Sequence, residues 1–257
     1  MLHYKIYSQQ HKEWVVLVHG AGGSSTIWYK QIRAYRKHFN VLVVDLRGHG
    51  SCMITNSPTK YTLDFVSQDI LVVLDLLKIE KAHFVGISLG TMLIRQLAET
   101  NPERFHTMLL AGAVIRITPR LHFLLGIANT FKKMIPFMWL YKLFAWILMP
   151  RKTHESSRHL FIQEAKKIKN REFLRWLTLT GGMAKYLVKI NEKDTKIPSL
   201  YIMGDEDYVF LEPVKRLVKK QPSSKLVILK DSGHVCNVDQ TEKFNEVSLQ
   251  FLCNALK

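Results

Sequence analysis

Gly86-Ile87-Ser88-Leu89-Gly90 directly follows the apolar run Ala82-His83-Phe84-Val85 and decides how the chain folds. After it, Thr91-Met92-Leu93-Ile94-Arg95-Gln96-Leu97-Ala98-Glu99 sets apolar residues at helical spacing. A serine between two glycines at a strand-to-helix junction sits on a sharp turn that lifts its hydroxyl clear, and the glycines let strand and helix approach closely. Five such residues recur in ordinary loops, so the surrounding pattern must carry the weight.

That pattern is an alternation of β and α signals. Strand-like runs are Leu2–Tyr7, Trp14–His19, Val41–Leu46, Ala82–Ile87, Thr107–Ala113, Ser199–Met203 and Lys225–Lys230, several of them continuously apolar, as strands buried on both faces are. Helical periodicity marks Ile27–Arg36, Leu63–Leu77, Leu89–Glu99, Glu212–Lys220 and Thr241–Leu256, with Thr62 as N-cap of the second. The fold class is therefore α/β, a mostly parallel central sheet flanked by helices, with its chemistry in the loops after the strands. Ile117–Lys193 interrupts the alternation with helix-like sequence. The expected organisation is a single domain over 1–257, with a core of 1–115 and 195–257 and a helical cap inserted at about 116–194.

A serine hydroxyl becomes a nucleophile only when a base removes its proton and a third group orients that base. Ser199-Leu200-Tyr201-Ile202-Met203 runs into Gly204-Asp205-Glu206-Asp207, and Lys225–Lys230 runs into Asp231-Ser232-Gly233-His234, so the order serine, acid, histidine is present with each member at the C-terminal end of a strand. Val15-Val16-Leu17-Val18 leads into His19-Gly20-Ala21-Gly22-Gly23-Ser24. A glycine-rich loop there can aim a backbone N–H at a developing oxyanion, together with the N–H of Leu89.

HGAGGS, DLRGHG, GISLG, G-x-x-D and SGH stand in one order along nearly the whole chain. In this the sequence resembles the serine-dependent α/β-hydrolases of the esterase and lipase type. The resemblance implies an α/β-hydrolase fold in which Ser88 is the nucleophile, His234 the general base and Asp207 the orienting acid. Ala21 and Leu89 would supply the oxyanion hole, and neither cofactor nor metal is needed. Asp207 is three residues past Gly204, as in that family, and Asp205 stays an alternative. Cys52 departs from the small polar residue that the family commonly has at this point, and Pro213 comes later than usual. The implied reaction is hydrolysis of a small-molecule acyl ester, with a lipophilic ester such as a monoacylglycerol favoured by the aromatic cap. Thioesterase, lactonase and carbon–carbon hydrolase activities use the same groups, and a non-catalytic receptor of this fold would show a broken set.

Composition bounds the rest. With 47% hydrophobic and 23% charged residues, the chain is an ordinary globular one. Met1-Leu2-His3-Tyr4-Lys5-Ile6-Tyr7 lacks a signal-peptide pattern, and Cys52, Cys236 and Cys253 lack metal or disulfide spacing, which together suggest a cytoplasmic setting. His19 and His49 read as loop-stabilising rather than metal-binding, and Asp45 and Arg47 as pins for their loop. The net charge is +16, and 17 Lys/Arg against 5 Asp/Glu lie between Arg116 and Lys196. Leu121–Met149 interleaves Phe123, Phe131, Phe137, Trp139, Tyr141, Phe144 and Trp146 with Lys132, Lys133 and Lys142. Its uncharged pieces are too short for a membrane span, which leaves an acyl-binding cap with peripheral contact to an anionic membrane beside a cap that only buries aromatics. No nucleic-acid-binding motif accompanies the basic residues.

Overall fold

The computed structural model describes residues 1–52, 54, 58, 60–117, 122, 126, 130, 136–179, 186–189 and 193–255. Leu121, Phe123, Phe131, Lys132 and Lys133 of the aromatic run, and Leu256 of the last predicted helix, lie outside them. Seven strands form one sheet: β1 (His3–Tyr7), β2 (Trp14–Val18), β3 (Asn40–Asp45), β4 (Ala82–Ile87), β5 (Phe105–Ala111), β6 (Ser199–Gly204) and β7 (Ser224–Leu229). Their order is β1-β3-β2-β4-β5-β6-β7, with β1 antiparallel to β3 and every other neighbouring pair parallel. Each is one of the predicted strands, with ends displaced by at most two residues.

The central strands are buried on both faces because successive side chains feed two separate cores. Val16, Val18, Leu42, Val44, Phe84 and Leu110 point to one side, where α2 (Leu63–Leu76) and α3 (Leu89–Thr100) pack. Val15, Leu17, Val41, Val43, Val85 and Leu109 point to the other, toward α1 (Tyr29–Tyr35) and a C-terminal helix, Thr241–Asn254. Each such side chain contributes roughly 1.5–3 kcal/mol by leaving water. Thr62 caps α2 as expected, its hydroxyl accepting from the Phe65 N–H at 3.1 Å. The helix expected over Ile27–Arg36 is split instead: Ser24 accepts the Thr26 N–H and starts a 3-10 turn, Ser25–Trp28, before α1 begins.

Between β5 and β6 the described residues carry α4 (Phe137–Leu148), α5 (Glu155–Ala165) and α6 (Asn170–Thr178) and no strand. These helices sit on the loops that follow the strands. Trp176 donates to the Arg47 carbonyl at 2.9 Å, Tyr61 donates to Glu172 at 2.6 Å, and Arg151 pairs with Glu206 at 2.5 Å. After β6, α7 (Leu211–Val218), α8 (Cys236–Asp239) and α9 (Thr241–Asn254) complete the layers.

Candidate active site

Ser88 joins β4 to α3 with φ 53° and ψ −118°, a conformation that residues with a side chain rarely adopt. Three hydrogen bonds hold it there: its N–H donates to the Ala111 carbonyl at 3.0 Å, while the Thr91 N–H and hydroxyl donate to its own carbonyl at 2.9 and 2.6 Å. Glycine is required beside it. A Cβ on Gly90 would drive into the carbonyl oxygen of Val18 on β2, and one on Gly86 would strike Ile94 and the Gly90 backbone.

The Ser88 hydroxyl donates to His234 Nε2 at 2.9 Å, and His234 Nδ1–H donates to Asp207 Oδ2 at 2.8 Å. The second oxygen of Asp207 accepts the Phe210 N–H at 3.1 Å. Both His234 and Asp207 are buried, and the Phe210 ring stands 5.1 Å from the imidazole. Asp205 faces elsewhere, accepting the Ser232 N–H at 3.3 Å. The loops after β6 and β7 touch so closely that a Cβ on Gly204 would meet the Ser232 and Gly233 carbonyls, which is what sets the acid against the histidine. With Nδ1–H committed to the carboxylate, Nε2 is left as the acceptor, the tautomer that can draw a proton from serine.

Leu89 opens α3, so its N–H has no acceptor within the helix. Ala21 lines the same small cavity as Ser88 and His234. The loop around Ala21 is braced by the two buried histidines. The Gly22 N–H donates to His49 Nε2 at 3.0 Å, and His49 Nδ1–H donates to the Arg47 carbonyl at 2.9 Å. The Leu46 N–H donates to His19 Nε2 at 3.0 Å, and His19 Nδ1–H donates to the Gly20 carbonyl at 2.7 Å. Burial lowers both basicities, that of His49 to about 3. Among the described residues no cluster of three or more His, Cys, Asp or Glu has a metal-binding arrangement. Asp45 pins the loop as expected, accepting from the Ser25 and Ser51 N–H groups at 2.7 and 2.9 Å. Arg47 pairs with Asp69. Burial pushes the Asp45 carboxyl up, but these hydrogen bonds outweigh it and hold it below its ordinary range. Cys52 is absorbed into the apolar core.

The cavity over Ser88 measures about 30 Å³, room for a water molecule or two. Leu160, Phe161 and Glu164 of α5 form its far wall. None of these was singled out from the sequence. Their only mark is helical spacing, and Glu164 stands 140 residues from Ser24, whose hydroxyl donates to it. His154 and Glu206, 2.8 Å apart beside the Asp207 loop, were missed for the same reason. A larger groove of about 520 Å³, bordered by Arg116, Arg216 and Lys220, contains none of the converging groups.

A family model described as the alpha/beta hydrolase fold matches residues 13–240. The chain is 25% identical over 244 residues to 3-oxoadipate enol-lactonase 1 of Acinetobacter baylyi, an alignment spanning 93% of this chain and 88% of that protein. It is 23% identical over 247 residues to the pimeloyl-(acyl-carrier protein) methyl ester esterase of Aeromonas hydrophila, spanning 93% and 94%. In fold it is similar to the enol-lactonase from Burkholderia xenovorans LB400, with a TM-score of 0.78, 22% identity and 98% and 96% of the two chains covered. Among the described residues no helix is long and apolar enough to cross a membrane.

Proposed function

The chain belongs to the family of the alpha/beta hydrolase fold, and from that premise we propose that it hydrolyses a carboxylic ester through an acyl-enzyme formed on Ser88. The observation that carries this reading is the unbroken hydrogen-bonded chain from Ser88 Oγ through His234 to Asp207. His234 Nε2 takes the hydroxyl proton as Oγ attacks the carbonyl carbon, and Asp207 steadies the resulting imidazolium. The Ala21 and Leu89 amides receive the oxyanion. His234 then protonates the departing alkoxide, and a water that it deprotonates releases the acid and restores the serine.

The substrate is an ester with an apolar acyl part, as in a monoacylglycerol, because Leu160, Phe161, Ile27 and Val235 line the cavity. A cavity this small admits such a group only when α5 withdraws, so α5 acts as a lid. A lactone is the second reading, favoured by the enol-lactonase among the relatives; ring opening uses the same steps with the leaving alkoxide still tethered.

A fluorophosphonate probe should label Ser88, and the label should vanish in Ser88→Ala and fall sharply in His234→Ala. Hydrolysis of p-nitrophenyl esters should disappear with the label and rise from short to medium acyl chains. Retained hydrolysis in Ser88→Ala would remove the serine mechanism, and a flat chain-length profile would remove the lipophilic substrate.

A further inference from the structure

Helix α4 has two different faces. Leu140, Tyr141 and Ala145 are buried, and Tyr141 packs so tightly over the loop after β2 that a Cβ on Gly22 would strike its ring. Trp139, Leu143 and Trp146 form the other face, exposed by 71%, 48% and 55%. Spaced four and then three residues apart, they fall on one stripe of the helix. Of the five tryptophans in the chain, the two that are exposed both stand here. Ten large hydrophobic side chains are exposed among the described residues, and three of them line up on this one stripe, which marks it as an interaction surface.

Charge identifies the partner. Residues 105–154 carry no Asp or Glu, while Arg116, Arg120, Lys132, Lys133, Lys142 and Lys152 fall within them, together with Arg151, which is paired with Glu206. Lys142 lies within the stripe, three residues after Trp139 and four before Trp146, and Lys152 follows the helix. The Arg158 guanidinium stacks over the Trp146 ring at 3.9 Å. A second copy of the chain would bring the same positive field to such a contact, which opposes self-association. An anionic bilayer satisfies every element: indoles seat at headgroup level, lysines meet lipid phosphates, and a short helix lies in the interface rather than across it.

We propose that the outward face of α4, formed by Trp139, Lys142, Leu143 and Trp146, docks the protein on an anionic lipid surface. The helix connects that surface to the cavity, since its buried face rests on the loop carrying Ala21 and packs against α5. Docking therefore bears on the wall over Ser88, although it does not depend on the reaction proposed there.

The test is co-sedimentation of the full chain with vesicles of phosphatidylcholine alone and of phosphatidylcholine mixed with phosphatidylglycerol, at low and high salt. Binding to the anionic vesicles, weakened by salt and accompanied by a blue shift of tryptophan emission, is expected; phosphatidylcholine alone should bind poorly. Combined Trp139→Ser, Leu143→Ser and Trp146→Ser should abolish it. Lys142→Glu with Lys152→Glu should weaken it about tenfold or more. The unfolding temperature and the hydrolysis of a soluble ester, where wild type shows it, should be unchanged in these variants, which separates lost docking from lost fold. If wild type hydrolyses nothing yet binds, the reaction fails and the docking face stands. Failure of wild type to bind anionic vesicles at low salt would overturn the proposal, as would equal binding by the triple serine variant. A dimer that this variant converts to monomer would assign the face to a second copy and equally overturn it.

Discussion

The Ser24 hydroxyl donates to Glu164 Oε2 at 2.7 Å, joining the glycine-rich loop after β2 to helix α5 across the cavity that holds Ser88. Lys167 approaches the other oxygen of Glu164 at 2.5 Å, but from the exposed side of the helix. The cavity wall thus carries a carboxylate whose counter-ion sits mostly in solvent.

A substrate bearing a carboxylate on its acyl chain meets that wall unfavourably. Glu164→Gln keeps an oxygen for Ser24 and removes the charge. Its kcat/KM for a carboxylate-bearing p-nitrophenyl ester should rise about tenfold relative to a neutral ester of the same length. Equal changes for both esters would show that Glu164 serves only to tie the loop to the helix.

Strain at Ser88 is separable from its chemistry. Ser88→Ala and Ser88→Gly both remove Oγ, yet only glycine adopts φ 53° freely. Urea unfolding should find the glycine variant more stable than the alanine variant by about 1 kcal/mol, the reverse of the usual order in regular structure. Equal midpoints would mean that the turn is relaxed.

Gly90 answers to space. Its missing Cβ is where β2 and α3 nearly touch, and the obstructing atom is a backbone carbonyl that cannot rotate away. Gly90→Ala should therefore destabilise by about 1–3 kcal/mol and shift the Ser88 turn, lowering fluorophosphonate labelling. Unaltered stability and labelling would contradict the close approach.

Acid should loosen the loop that carries Ala21. His49, neutral in the fold, is lowered to about 3, first by burial and then by His19, from an ordinary value of 6.5. A depressed histidine contributes stability above the unfolded value that is lost as pH falls from 6.5 toward 3. This one group accounts for about 2 kcal/mol between about pH 7.5 and about pH 5. His49→Gln, with no ring to protonate, should lose correspondingly less stability over that interval in urea unfolding. An identical pH dependence in both proteins would move the acid sensitivity elsewhere.

The strands and most of the helices were legible because apolar periodicity is local, set by residues a few positions apart. The start of α1 was not, since the 3-10 turn before it follows from a side-chain bond of Ser24 rather than from periodicity. Ser88, Asp207 and His234 could be named because each sits just after a strand, where a parallel sheet gathers its loops at one edge. Between Asp205 and Asp207 the spacing from Gly204 could only rank the two, whereas the paired loops after β6 and β7 put Asp207 on the imidazole.

By itself, the order of strands, helices and glycine turns determined an α/β sheet with a serine at a strained junction, an acid and a histidine, because those features depend on neighbours a few residues apart. Only the tertiary structure decided what surrounds that serine: Glu164 and Phe161 over it, two histidines bracing the neighbouring loop that carries Ala21, and one face of α4 buried while the other is left bare. Those relations join residues far apart in the chain, and their geometry is set by how the layers pack rather than by any local pattern.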